Sequence, residues 1–442
     1  MTESTDTTTA AMPTLASQLT NVSSDTDFTE LTAGTSIKTQ GSCTRLPLPD
    51  NIERDQDRLS INGQESSGQP PTTRKNRANE IRKSYQAPPP VVPDLEGEME
   101  KWFTMADRYG FLVENSTQQP NAEQAQKEVE RSTKWARMAE HTRLNGEDLH
   151  IFKRNHKFVK RIFKGIPDCW RRDAWYFLCT DGLRTAEDDE ELREQYKSLL
   201  SKPSQHERQI DLDIARTMHG HIMFRQRYGQ GQRALFNVLR AFSGFDTEVG
   251  YCQGMTNIVA MLLMYCEEER SFTALVHMFL RDGLHDLFIA GFPALMESFY
   301  IQEQLVERYM PKLHHHLMNV GLSSDAYATR WYITLFTGGV VSYQTLLRIW
   351  DVYFLVGFDI FYFVAIALLK THQDQLLTGE FDQCITLLGS TMTVPDDDRF
   401  MKLVKRLYER GARYIPTFKS NYKSKKNLWY CIVATTIPYE PE

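Results

Sequence analysis

The sequence predicts an all-α protein: one domain of many helices preceded by a tail without a core. Three observations carry this. Apolar residues recur at helical spacing, as in Leu235, Val238, Leu239 and Phe242, which fall at i, i+3, i+4 and i+7. Strict two-residue alternation is rare. Glycines and prolines punctuate the chain at helix lengths rather than strand lengths.

Taken in order, residues 1–92 are rich in Ser, Thr, Asp, Gln and Pro and show no apolar period, so they are expected to be disordered. This tail ends in a basic cluster, Arg74, Lys75, Arg77, Arg82 and Lys83, and then in Pro88, Pro89, Pro90 and Pro93. The cluster suits peripheral contact with an acidic membrane surface, and the Pro88–Pro93 run, an extended polyproline spacer, suits an SH3 partner. A solvated linker is the plainer alternative. On this reading residues 1–92 are dispensable for activity in solution.

Residues 93–160 form a helical lead-in. Met99, Trp102, Phe103 and Ala106 follow helical spacing, and Gly110 is the candidate cap after them. A polar stretch to about residue 130 reads as a loop. Residues 131–155, with Trp135, Met138 and Leu149, are expected to be helical. The main domain spans 161–422, where Ile258, Val259, Leu262 and Leu263 repeat the apolar face. Within it, Val352 to Leu369 is apolar apart from Gly357 and Asp359. Those two residues cut the run into pieces too short to span a bilayer, so two buried helices are expected to meet there. Residues 423–442, which begin with Lys423, Lys425 and Lys426, form a peripheral tail.

Composition narrows the function classes. The net charge of -6 argues against a nucleic-acid binder driven by phosphate neutralisation. Seven cysteines, an odd number without a CxxC pair, argue for a reducing compartment rather than a disulfide framework. With no apolar leader after Met1, a cytoplasmic location follows.

Three short motifs carry the chemistry. In the first, Gly165 and Pro167 make a turn, Asp168 is placed to cap a helix, and Arg171 and Trp175, at i and i+4, share a face and pack or stack together. In the second, Ile210 and Ile214 anchor a helix on the core, while Asp213 and Arg216 lie about 60° apart on it. The aspartate there is placed to hold the guanidinium by a bidentate pair, or else to form an ordinary surface salt bridge. In the third, Gly250 and Gly254 flank Tyr251-Cys252-Gln253. On a helix the tyrosine and glutamine diverge by about 200°, one packing inward and the other pointing out, where it can orient a water. A simple loop is the alternative.

Arg171 to Trp175, Ile210-Asp213-Arg216 and Tyr251-Gln253 resemble, in order and spacing, the RxxxW, IxxDxxR and YxQ fingerprints of the TBC family of Rab GTPase-activating proteins. Lys164-Gly165-Ile166-Pro167 and Leu347-Arg348-Ile349-Trp350-Asp351 resemble its flanking segments. Asp107-Arg108-Tyr109-Gly110-Phe111 and Ala290-Gly291-Phe292-Pro293 are similar to the RN-tre-like branch. The resemblance implies an activator of Rab GTPases in vesicle trafficking, recruited peripherally to membranes. It further implies two catalytic residues: Arg216 offsets charge on the transferring phosphoryl group, and Gln253 orients the attacking water. Asp213, Tyr251, Arg171 and Trp175 are the supporting residues. There is no GxxxxGK[ST] loop, so the expectation is no cofactor of its own, with GTP and magnesium carried by the partner GTPase in its GTP state. Where many relatives have Thr-Phe-Pro after the arginine, this chain has Thr217, Met218 and His219.

Two other classes fit parts of the sequence. One is a non-catalytic TBC-fold scaffold that binds a Rab or a membrane partner, which need not keep both Arg216 and Gln253. The other is a hydrolase using Cys252 with a base such as His219. His314, His315 and His316 diverge by about 100° per residue on a helix and do not converge on one metal ion.

Overall fold

Why the apolar period closes into one core is visible in the computed structural model, which describes residues 71–90, 95–112, 122–144 and 146–436. All of these belong to the unit Gly68–Glu442, and the other unit, Met1–Ser67, lies outside the described residues. Helices α1 (Pro71–Gln86), α2 (Leu95–Met105) and α3 (Ala122–Ala136) lead to an antiparallel hairpin of β1 (Ala139–Leu144) and β2 (Glu147–Phe152). Next come α4 (His156–Phe163), α5 (Asp168–Cys179), α6 (Asp189–Leu200), α7 (Glu207–Ile214), α8 (Gln230–Phe245), α9 (Met255–Leu263), α10 (Glu268–Asp282) and α11 (Leu284–Phe288). The chain continues through α12 (Pro293–Tyr309), α13 (Pro311–Asn319), α14 (Ser324–Ile333), α15 (Tyr343–Val356) and α16 (Ile360–Thr371). It ends with α17 (Gln373–Thr378), α18 (Phe381–Gly389), α19 (Asp397–Gly411) and α20 (Ile415–Thr436). Among the described residues the fold is all-α apart from one hairpin.

The expected faces are buried. Leu235, Val238, Leu239 and Phe242 line α8, and Ile258, Val259, Leu262 and Leu263 line α9, all within the core. The apolar run from Val352 divides into α15 and α16, which meet at Gly357 in a left-handed conformation (φ +87°). No helix among the described residues is long and apolar enough to cross a membrane.

Several local expectations fail, each for a physical reason. The tail expected to be disordered through residue 92 contains α1, whose Ile81 and Tyr85, one turn apart, are buried. Residues 1–70 and Pro93 lie outside the described residues. Gly110 is not a helix cap, because α2 stops at Met105 and Gly110 sits in a turn closed by its own N–H to the Asp107 carbonyl at 3.0 Å. From Ala122 on, the polar stretch before residue 130 is helix, the first part of α3, whose Trp135 is buried. Residues 131–155 are not one helix: α3 stops at Ala136 and the chain goes on into the hairpin, with Ala139 opposite Phe152. Up to Thr436 the tail expected from residue 423 is the continuation of α20, which is tied down by a Lys419–Asp359 ion pair at 2.9 Å and a Tyr300–Tyr422 ring contact at 5.5 Å.

The first motif works as a core clamp. Arg171 and Trp175 do not stack on each other but converge on Asp351, which is wholly buried on α15. Arg171 donates from Nε at 3.0 Å and Nη2 at 3.3 Å, and Trp175 from Nε1 at 2.9 Å. The Ile166 N–H donates to the same carboxylate at 2.8 Å. Asp168 does not cap α5. It pairs with Arg171 and with Arg108, the latter at 2.7 Å. Asp351→Ala leaves a buried guanidinium without its main partner, so we expect unfolding stability to fall by about 3–5 kcal/mol in urea titrations.

Candidate functional site

Helix α7 is only two turns long and is held from below by Ile210 and Ile214, both fully buried. That anchoring puts Asp213 inside, at 2% exposure, and releases the chain just past the helix end at Arg216, whose side chain is 59% exposed. Thr217 closes the end by donating its hydroxyl to the Asp213 carbonyl at 2.7 Å.

Arg216 Nη2 donates to Asp213 Oδ1 at 2.6 Å. The contact is single rather than the expected bidentate one, because the other carboxylate oxygen is taken. The buried Tyr251 hydroxyl donates to Asp213 Oδ2, and Gln209 Nε2 reaches Oδ1 at 3.4 Å. One carboxylate therefore ties the second motif to the third. Burial and the neighbouring Asp213 raise the Tyr251 phenol well above its usual range, so it remains a donor throughout the physiological pH range.

The third motif is a loop rather than a helical turn, yet it divides its side chains as expected: Tyr251 is buried and Gln253 is exposed. Gly250 and Gly254 both have positive φ, +59° and +106°. A Cβ on Gly250 would lie 2.3 Å from Nε2 of His206, the residue immediately before α7, so this loop presses directly against the start of the arginine helix. Tyr251→Phe removes one hydrogen bond to a charged acceptor. If the site works as a unit, the fall in catalysed rate is roughly tenfold with the fold retained, read by single-turnover assay and thermal unfolding.

The departure after the arginine has its own geometry. Met218 adopts a left-handed conformation (φ +45°), and the chain turns into a segment stitched to the lead-in. The Leu112 N–H donates to the Gly220 carbonyl and the Ile222 N–H to the Gly110 carbonyl, both at 2.9 Å. His221 Nε2 lies 2.8 Å from the Tyr109 carbonyl, and Phe111 packs edge-on against the His221 ring. Gly110 is required here because a Cβ would come within 2.7 Å of His221 Nε2. Helix α1 grips the same segment: Arg82 pairs with the buried Glu207 at 2.9 Å, and Arg227 bonds the Tyr85 hydroxyl at 3.2 Å. Sequence reasoning missed these contributors, since their partners lie more than a hundred residues away.

Arg171 and Trp175 do not join this constellation. Their hydrogen-bond partners are Asp168 and Asp351, with none shared with Asp213, Arg216 or Tyr251.

The rival chemistries find little support. Burial, helped by Asp213, pushes the Cys252 thiol up to about 12, and its sulfur donates to the neighbouring Gln253 carbonyl at 3.6 Å. His219 is exposed. Cys252 should therefore resist iodoacetamide at pH 7.5 while exposed Cys169 is labelled, as peptide mass mapping would report. His314 pairs with Glu303 at 3.2 Å, and His316 faces the Gly379 carbonyl at 2.9 Å. No cluster of three or more His, Cys, Asp or Glu suited to a metal occurs among the described residues.

Comparison with known proteins bears on this arrangement. Residues 168–377 match the family described as the Rab-GTPase-TBC domain. A TBC domain-containing protein of Schizosaccharomyces pombe is 34% identical over 323 residues, 72% of this chain and 75% of the relative. A Rab GTPase-activating protein of Caenorhabditis elegans is 32% identical over 281 residues, 62% of this chain but only 30% of the relative. Among solved structures, the TBC domain of a Chlamydomonas flagellar RabGAP superposes with a TM-score of 0.55 at 22% identity. That superposition covers 68% of this chain and 98% of the other.

Proposed function

The chain belongs to the Rab-GTPase-TBC domain family, and from that premise we propose that it accelerates GTP hydrolysis by Rab-family small GTPases. The observation that carries the proposal is the Asp213 carboxylate. It holds Arg216 with one oxygen and Tyr251 with the other, and leaves the guanidinium and Gln253 exposed.

Phosphoryl transfer needs positioned charge and a positioned water more than covalent help. Arg216 supplies the first. Its planar fork suits phosphate oxygens, and its one tether leaves the remaining N–H groups to the incoming nucleotide. Gln253 supplies the second, standing in for the water-orienting glutamine of the GTPase. Asp213 and Tyr251 position the two side chains. Nucleotide and magnesium arrive with the partner. Arg171 and Trp175 support the site only through the core. Residence in the cytoplasm, recruitment to the membrane that carries the GTPase, and a role in vesicle trafficking accompany this reading.

Membrane contact through the N-terminal basic cluster fits less well, because Arg82 is turned inward onto Glu207. An SH3 partner would have to displace Arg233 and Gln226 from the Pro88 and Pro90 carbonyls, which they hold at 3.3 and 3.2 Å.

The test is a panel of GTP-loaded Rab proteins assayed for hydrolysis with the full chain. Stimulation of one or a few by orders of magnitude is the expected result. A flat response across the panel refutes it.

A further inference from the structure

The segment 81–90 lies outside the family match at 168–377, yet it holds the chain on both sides of Arg216. Nine residues before the arginine, Glu207 opens α7 and is wholly buried. Arg82 meets it with a two-point contact, Nε to Oε1 at 3.2 Å and Nη2 to Oε2 at 2.9 Å. Its remaining partners are the Ser204 N–H at 3.2 Å and Arg240 at 3.9 Å. Arg82 is thus the main neutralising partner of a buried charge at the start of the arginine helix.

Beyond the arginine the grip is equally dense. Gln226 donates to the Pro90 carbonyl at 3.2 Å. Arg227 bonds both the Tyr85 hydroxyl and Asp211 on α7. Arg233 reaches the carbonyls of Ser84 at 3.1 Å, Tyr85, and Pro88 at 3.3 Å, and so caps the open end of α1. The Tyr85 ring is stacked on Phe236 of α8 at 3.9 Å and 5° and meets Tyr228 edge-on at 5.0 Å. Helix α7, with eight residues, is too short to hold its shape by its own hydrogen bonds. Its aim is set by what is attached to it.

We propose that Arg82 and Tyr85 are positioning residues for Arg216: the N-terminal helix is a strap that fixes the direction of the arginine helix and of the turn beyond it. The inference rests on the catalytic reading of Arg216 given above. It reverses the expectation that residues 1–92 are dispensable, because the part from Ile81 to Pro90 belongs to the active unit. Arg82 and Tyr85 act through Glu207, Asp211 and Arg227, with which their contacts are made.

The test uses the full chain with Arg82→Ala, the milder Tyr85→Leu, and Arg77→Ala on the exposed face of the same helix. Two quantities are read: GTPase kinetics with the activated Rab, and amide hydrogen exchange by mass spectrometry. The strap requires kcat to fall about 10–100-fold, the scale for a misplaced catalytic group, with KM for the GTPase unchanged. It also requires faster exchange confined to residues 207–219. Arg77→Ala should match the wild type in both, and Arg82→Lys should fall between the wild type and Arg82→Ala. Wild-type kcat in Arg82→Ala and Tyr85→Leu overturns the proposal. So does exchange at 207–219 that is unchanged, or that rises only as much as in the rest of the domain. If the wild-type protein activates no GTPase, the proposed function fails, while the exchange measurement still decides whether the strap holds α7.

Discussion

Replacing Arg216 by alanine should abolish stimulated GTP hydrolysis, a loss of about 10³–10⁵ in rate, while thermal unfolding stays close to that of the wild type. The two halves of this expectation have separate physical causes. The side chain is 59% exposed and makes one hydrogen bond, to Asp213, and a contact of that kind adds little to stability. Without it, Asp213 keeps Tyr251 and Gln209, so no buried charge is left unpartnered. On the proposed mechanism the rate depends on the guanidinium itself, which offsets charge spread over the transferring phosphoryl group. Arg216→Lys should fail nearly as badly, because a point charge on a flexible stem does not reproduce the fork. Single-turnover hydrolysis beside a melting curve checks both halves, and near wild-type hydrolysis by folded Arg216→Ala removes the arginine from the mechanism.

The second large effect concerns which molecule orients the water. If Gln253 does so, a Rab carrying Gln→Leu at its own water-orienting position should remain substantially activated by this protein. Gln253→Ala should lose most activity, roughly 10²-fold or more as for a misplaced reacting group, toward both forms of the GTPase. If the GTPase orients its own water, the pattern inverts: the mutant Rab resists activation and Gln253→Ala is mild. The four combinations separate these cases. The inverted pattern would leave Arg216 as the only catalytic side chain supplied by this protein.

Much of the helical architecture could be read from the sequence because the periods are local. The faces of α8 and α9, the break at Gly357, and the burial of Ile210 with Ile214 all follow from spacings of three and four residues. Among the candidate site residues, the Asp213–Arg216 pair was legible for the same reason, whereas Gln253 points outward from a loop and not from the helical turn that its spacing suggested. The Asp213–Tyr251 bond was not legible, since 38 residues separate the partners. Nor was the convergence of Arg171 and Trp175 on Asp351, about 180 residues away. The hairpin does have a local signal: in the sequence Asn145-Gly146 lies between short runs that alternate Thr142, Leu144 and Leu149, Ile151. Helix α1 had almost none. Its composition is polar, and what fixes it is the pairing of Arg82 with Glu207 and the stacking of Tyr85 on Phe236, both visible only once the chain has folded.

The sharing of Asp213 has a mechanical consequence. Arg216 hangs from one oxygen of the carboxylate and the Tyr251 loop, two residues from Gln253, hangs from the other. Thermal displacement of α7 therefore carries both exposed side chains in the same direction. On the proposed mechanism, errors of that kind shift the pair as a whole against a docked GTPase and largely cancel in the separation between its members. An in-line displacement is sensitive to that separation, because charge and water must be registered against each other across one phosphorus atom. A single buried carboxylate thus works as a common reference from which two moving parts are gauged.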